Sequence, residues 1–224
     1  MIAPQVYQRY LEALLRGDRS ACRAVVQELM AARVPVRTLY AELFRDSLYE
    51  VGCRWERGEA SVATEHLATA ITEDLLSLVF PQVLSRSPIG RGAVVSCAAD
   101  EFHQVGGRIV ADVLEERGWS VSFVGANVPV EALVSLCGER RPHLLCLSVT
   151  IESHLEKGQL TVEAVRAAGH GMPIVIGGRA IPALPSGWAA ARPGVHLASS
   201  LEELEGLLPT WEPPPSGALR EGAA

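Results

Sequence analysis

Residues 93–107 read Ala-Val-Val-Ser-Cys-Ala-Ala-Asp-Glu-Phe-His-Gln-Val-Gly-Gly, and their order decides the fold. The apolar run at 93–98 is short enough for a strand and ends in a polar turn. An amphipathic stretch of about 104–118 follows it. The alternation then repeats. Apolar runs recur at 120–124 (SVSFV), 144–149 (LLCLSV) and 173–176 (PIVI), with a weaker one near 194–198. Amphipathic stretches at 129–141, 156–169, 180–191 and 201–208 lie between or after them. Strand alternating with helix predicts a doubly wound parallel sheet, Rossmann-like (flavodoxin-like), over 91–208.

On the amino-terminal side the period changes to that of helices. Val6, Tyr10, Leu11, Leu14 and Leu15 mark a helix over 5–16 that Gly17-Asp18 closes. Cys22, Val25, Val26, Leu29 and Met30 mark a second over about 19–33. Pro35 suits the first residue of a third, continued by Leu39, Leu43, Leu48 and Val51. Ser61 can cap a fourth, with Leu67, Ile71, Leu75 and Leu78 as its stripe to about Val83. Residues 1–86 therefore predict a four-helix bundle, and 85–92 a linker. Residues 209–224 (PTWEPPPSGALREGAA) read as a disordered tail.

Composition excludes several classes. A net charge of -6, with Lys157 the one lysine and no basic stripe, gives no nucleic-acid footprint. No apolar run reaches the roughly 18 residues of a membrane span, and MIAPQVYQRY lacks the order of a signal peptide. A cytoplasmic location is the expectation. Cys22, Cys53, Cys97, Cys137 and Cys146 are scattered, without a CxxC pair, which argues against disulfides or a zinc site. Cys97 and Cys146 read as core residues. No nucleophile–base pair stands out, so an enzyme is not expected.

Open parallel sheets bind ligands at the carboxyl ends of their strands. After the first strand stand Glu101, Phe102, His103, Gly106 and Gly107. A carboxylate two residues before a histidine can take one ring N–H, fix the tautomer and leave the other nitrogen for a metal. Taken alone, a loop histidine is more often a solvated or capping residue. Ser148 and Thr150 end the third run on one face by strand alternation, and Gly177-Gly178 end the fourth, permitting close approach of a ligand. Ser and Thr often finish strands, and Gly-Gly is a common turn. In the helical half, Trp55 precedes Glu65-His66 by nine residues. These three could roof a cavity, the indole stacking on a flat base and the polar pair bonding a ribose. They also read as a core tryptophan and a solvated pair.

Glu101-x-His103-x-x-Gly106, then Ser148-x-Thr150 after 41 residues, then Gly177-Gly178 after a further 26, resembles the cobalamin-binding domain. That resemblance implies His103 as the lower axial ligand of cobalt, displacing the cofactor's own dimethylbenzimidazole. The freed nucleotide tail would pass Ser148, Thr150 and the glycine pair. The loop Val124–Pro129 is similar to the family's second strand-to-helix turn, with Asn127 where aspartate is common. Together with Trp55 and Glu65-His66, the pattern over about 5–200 resembles the B12-dependent photoreceptors, with light-responsive transcription repressors among them. The resemblance implies adenosylcobalamin, its adenosyl group surrounded by Trp55, Glu65 and His66. Loss of that group in light would rearrange the bundle, changing oligomeric state or partner binding. The repressors carry a DNA-binding domain ahead of the bundle. This chain begins at the bundle, so output is expected through self-association, as a homo-oligomer, or a downstream signalling protein. They also carry a histidine directly after the tryptophan, where this sequence has Glu56. Photocobilins, which pair cobalamin with a bilin such as biliverdin, are also similar. The alternative is a corrinoid carrier, holding methylcobalamin for a methyltransferase.

Overall fold

Two side-chain caps frame the helical half in the computed structural model, which describes residues 1–82 and 87–213. Asp18 accepts the Ala21 amide at the start of α2 (Arg19–Ala31), and Ser61 accepts the Thr64 amide at the start of α5 (Val62–Val79). Each satisfies an amide that the first helical turn leaves without an intrahelical acceptor. Before them stands α1 (Pro4–Leu15). The third helix begins one residue beyond Pro35 as α3 (Val36–Thr38), widens into a π-helical segment (Leu39–Arg45), and continues as α4 (Asp46–Glu56). Because the π segment adds a residue to the turn, Leu39, Tyr40, Leu43 and Phe44 are all buried. Phe44 lies between Tyr10 and Tyr40, at 6.2 and 6.3 Å between ring centroids. The buried stripe of α5 is Ala68, Ile71, Thr72, Leu75, Leu76 and Val79, which keeps Ile71 and Leu75 of the expected stripe but not Leu67 or Leu78. Leu67 is 44% exposed and lies over Gly17, where a Cβ would stand 2.3 Å from its Cδ2. The expected end near Val83 and the first linker residues, 83–86, lie outside the described residues.

The chain divides into two units, Met1–Ser85 and Arg86–Ala224. In the second, β1 (Gly92–Cys97), β2 (Ser120–Gly125), β3 (Leu144–Ser148), β4 (Ile174–Gly177) and β5 (Val195–Ala198) form one parallel sheet in the order β2-β1-β3-β4-β5. That is the flavodoxin-like order, whose reversal between β1 and β3 opens a crevice at the carboxyl edge. On one face, α6 (Val105–Glu116) packs over β1, β2 and β3, while α9 (Leu201–Leu207) packs on β5. On the other lie α7 (Val130–Arg140) and α8 (Leu155–Ala167).

The stretch 180–191, expected as helix, is instead a 3₁₀ turn (Ile181–Ala183) and further turns. Pro182 and Pro185 lack the amides a helix needs, and Gly187 has φ +80°. Ile181, Leu184 and Trp188 still cover the sheet beside α7 and α8. Residues 209–213, the start of the expected tail, are held against the sheet unit. Glu212 accepts from Arg117 Nε at 2.7 Å and from Trp119 Nε1 at 3.0 Å, and Trp211 meets the His196 ring edge-on. Residues 214–224 lie outside the described residues. Among the described residues no helix is long and apolar enough to cross a membrane.

Candidate functional site

The register of β1 with β3 creates the site, because it pairs Cys97 with Ser148 and brings the two following loops side by side. Glu101 lies between them, fully buried. Its Oε1 accepts the His103 amide at 3.0 Å and meets His103 Nδ1 at 2.6 Å. Its Oε2 accepts the Thr150 and Ile151 amides at 2.8 and 3.1 Å and meets His154 Nδ1 at 3.2 Å. Burial pushes the Glu101 carboxyl up, but the hydrogen bonds from His103, Thr150 and His154 outweigh it and bring it down to about 2. An ionised carboxylate only accepts, so both Nδ1 atoms must carry hydrogen. Nε2 is then the nitrogen with which His103, its ring 43% exposed, would ligate a metal.

The third loop is tied in through Asn127. Its Oδ1 accepts the Asp100 amide at 3.0 Å, and its own amide donates to the Glu101 carbonyl at 2.8 Å. Asn127 and Asp100 have φ of +49° and +65°, a region that Asn and Asp enter more readily than most residues. Near the carboxyl ends of β1, β2 and β3 one apolar side chain each is exposed: Phe102 (66%) and Ile151 in the loops after β1 and β3, and Val124 in the last turn of β2. Exposed apolar groups at the same sheet edge as the His103 imidazole suit a broad, largely apolar ligand. Among the described residues no group of three or more His, Cys, Asp or Glu could hold a bare metal ion. One exposed imidazole whose tautomer a buried carboxylate fixes could serve as a single ligand to a metal carried in a larger group.

The four glycines expected to admit a ligand divide. A Cβ on Gly178, whose φ is +118°, would stand 2.2 Å from the Val149 carbonyl oxygen, and one on Gly177 2.7 Å from that of Ala198. The space at this pair is filled by the chain's own backbone. At Gly107 a Cβ would stand 3.3 Å from Phe123. At Gly106 the nearest atom would be Ser148 Oγ, at 3.9 Å. Ser148 pairs with Gly177 across β3 and β4, so Gly106, Ser148 and Gly177 line small-residue ground between α6 and α9. Thr150 lies beyond the end of β3 and contributes its amide to Glu101.

Cys97 and Cys146 are core thiols, as expected, and burial pushes both up to about 12. His154, which follows the Ser148–Thr150 strand end and from sequence reads as structural or as lining the cavity, joins the cluster through Glu101. A hollow of about 460 Å³ lined by Arg91, His143 and Trp211 lies at the opposite, amino edge of the sheet, away from this chemistry.

In the helical unit, Trp55 is 46% exposed near the end of α4, and its carbonyl accepts the Gly58 amide at 2.9 Å. Glu65 and His66 follow on the first turns of α5, their side chains 3.5 Å apart, so the three flank one short turn.

Two family models, each described as a B12 binding domain, match residues 6–79 and 91–203. The HTH-type transcriptional repressor CarH of Myxococcus xanthus is 31% identical over 173 residues, 76% of this chain and 56% of that protein. The repressor CarA of the same organism is 33% identical over 132 residues, 58% of this chain and 43% of that protein. The chain thus spans about half the length of these relatives. Among solved structures, the monomethylamine corrinoid protein of Methanosarcina barkeri superposes with a TM-score of 0.79 at 15% identity, covering 92% of this chain and 98% of that one.

Proposed function

Because the chain belongs to the B12-binding domain family, we propose that it is a light-sensing module that uses adenosylcobalamin. The observation that carries this reading is the exposed Trp55 indole beside the turn that leads to Glu65 and His66, on a chain 31% identical to CarH. In this reading the indole stacks on the adenine and the Glu65–His66 pair bonds the ribose. His103 would ligate cobalt through Nε2, with Glu101 fixing its tautomer. Phe102, Ile151 and Val124 would meet the macrocycle, and the nucleotide tail would lie along Gly106, Ser148 and Thr150, past the Gly177–Gly178 turn whose own space backbone fills. When bound, adenosylcobalamin supplies a weak cobalt–carbon bond that light cleaves. The protein's part is to hold the adenosyl group and to change arrangement when that contact goes. The module works without catalysis of its own, signalling through self-association or a downstream protein. A bilin such as biliverdin is the proposed second chromophore.

Glu56 favours a second reading. With no histidine after Trp55, the upper ligand used by the repressors is missing, and a methylcobalamin carrier for a methyltransferase needs none.

Reconstitution with adenosylcobalamin in darkness, with spectra and size-exclusion profiles before and after illumination, tests the choice. A light-dependent change in both is expected. An unchanged spectrum refutes light sensing, and preference for methylcobalamin with turnover by a methyltransferase establishes the carrier. Absence of a red-absorbing complex with biliverdin removes the bilin. Unaltered dark binding by His103→Ala removes the ligand assignment.

A further inference from the structure

The hollow at the amino edge of the sheet is built from the residues that lead into the strands. Arg91 precedes β1, Pro142 and His143 precede β3, and Met172 and Pro173 precede β4. Thr210 and Trp211 close it from the segment after α9. Its volume of about 460 Å³ is in the range of small-molecule sites. The fold holds these walls in place. The Arg91 carbonyl accepts the Ser120 amide at 2.8 Å, and that of Pro173 accepts the Leu145 amide at 3.0 Å. Arg166 donates to the Met172 carbonyl at 2.7 Å, and the His196 ring fixes the Trp211 indole edge-on, 5.1 Å between centroids.

Arg91 is half-buried, yet its guanidinium makes no hydrogen bond or ion pair among the described residues. No carboxylate is among the lining residues, and Glu212, next to Trp211, is taken up by Arg117 and Trp119. His143 Nδ1 accepts the Gly92 amide at 3.0 Å, so in the neutral ring Nε2 carries the hydrogen and is a donor. One cation and one neutral donor match a single negative charge, and a planar guanidinium matches a carboxylate. The rest of the lining is largely apolar and either flat or adaptable: an indole, two pyrrolidine rings and a thioether.

We propose that this hollow is a binding site for a small aromatic carboxylate. The anionic end pairs with Arg91 and accepts from His143 Nε2, and the ring lies against Trp211, Pro142 and Pro173. The site stands at the opposite edge of the sheet from His103 and does not depend on the cobalamin reading.

Equilibrium dialysis of the full-length protein against 2-naphthoate near neutral pH tests this, with 2-naphthylmethanol as the uncharged counterpart. A Kd of roughly 0.1–1 mM is expected for a ligand this small. The alcohol should bind at least about tenfold more weakly than the acid, because it leaves Arg91 without a counter-charge. Arg91→Gln, which breaks no side-chain bond of the folded protein, is expected to weaken binding of the acid by about tenfold or more. Trp211→Leu is expected to weaken it by about fivefold through the lost ring contact. Phe102→Ser, at the carboxyl edge, is expected to stay within about twofold of wild type. No binding by the wild-type protein up to about ten times that Kd range overturns the proposal. So do equal affinities for the acid and the alcohol, or an Arg91→Gln affinity equal to wild type. Binding lost in Phe102→Ser but kept in Arg91→Gln overturns it as well, since the ligand then sits at the other edge.

Discussion

Replacing Glu101 by glutamine tests whether a buried charge is the tie between the loops after β1 and β3. The carboxylate is fully buried and is met by five donors. Its depression from the ordinary 4.5 to about 2 is a linkage statement about folding. At pH 7, where the group is ionised in both states, it corresponds to about 3 kcal/mol of stability. The folded value lies below the unfolded one, so this stability is fully present above pH 4.5. It declines as pH falls through 4.5 toward 2. The wild-type advantage over Glu101→Gln should fall to roughly 1 kcal/mol by pH 3 and nearly vanish at pH 2.

Glutamine keeps the size of the side chain, so no cavity confuses the result. It also turns an NH₂ group toward amides that need an acceptor, which acts in the same direction. Urea unfolding of cofactor-free protein in a Trp55→Phe background serves as the assay. Trp119 and Trp188, both buried in the sheet unit, then report that unit's transition. A difference that is as large at pH 3 as at pH 7, or absent at pH 7, would refute the reasoning.

Gly178→Ala should destabilise the sheet unit by about 3 kcal/mol or more in urea unfolding, since φ is +118° and the clash is with backbone that cannot turn aside. Gly106→Ala provides the contrast: with 3.9 Å to Ser148 Oγ and a helical position in α6, stability should hold or rise by about 0.5 kcal/mol. Its cobalamin affinity, read by spectroscopic titration, should nevertheless fall at least tenfold if the tail passes there. Glu212→Ala should cost about 1–2 kcal/mol, through the lost bonds from Arg117 and Trp119. Unfolding curves identical to wild type would detach residues 209–213 from the unit.

The sheet was legible because parallel strands are covered on both faces and so stand out as short apolar runs. The stretch 180–191 failed for a related reason. Ile181, Leu184 and Trp188 are spaced as a helix would space them and cover the sheet as one would, yet Pro182 and Pro185 prevent it. Periodicity also hides the π segment, since an extra residue in one turn leaves the run apolar and merely shifts its face. At the site, the Glu101–His103 pair could be read because the bond joins residues two apart. For His154 and Asn127 the sequence places the loop but not the contact, because only the pairing of β1 with its neighbours brings them to Glu101.

That difference bears on why a buried charge stands at this position at all. Burying a carboxylate is costly, and an apolar residue packed between two loops often stabilises as well or better. What an apolar residue cannot do is select a tautomer. Glu101, ionised and fixed by three amides, obliges both flanking imidazoles to carry hydrogen on Nδ1. His103 is thereby held in the tautomer with hydrogen on Nδ1, in a ring oriented by a 2.6 Å bond. In the cobalamin reading proposed above, Nε2 is what the protein would offer to a metal that brings its remaining ligands with it. The energetic cost of Glu101 is thus the cost of orienting one imidazole, and five donors compensate it.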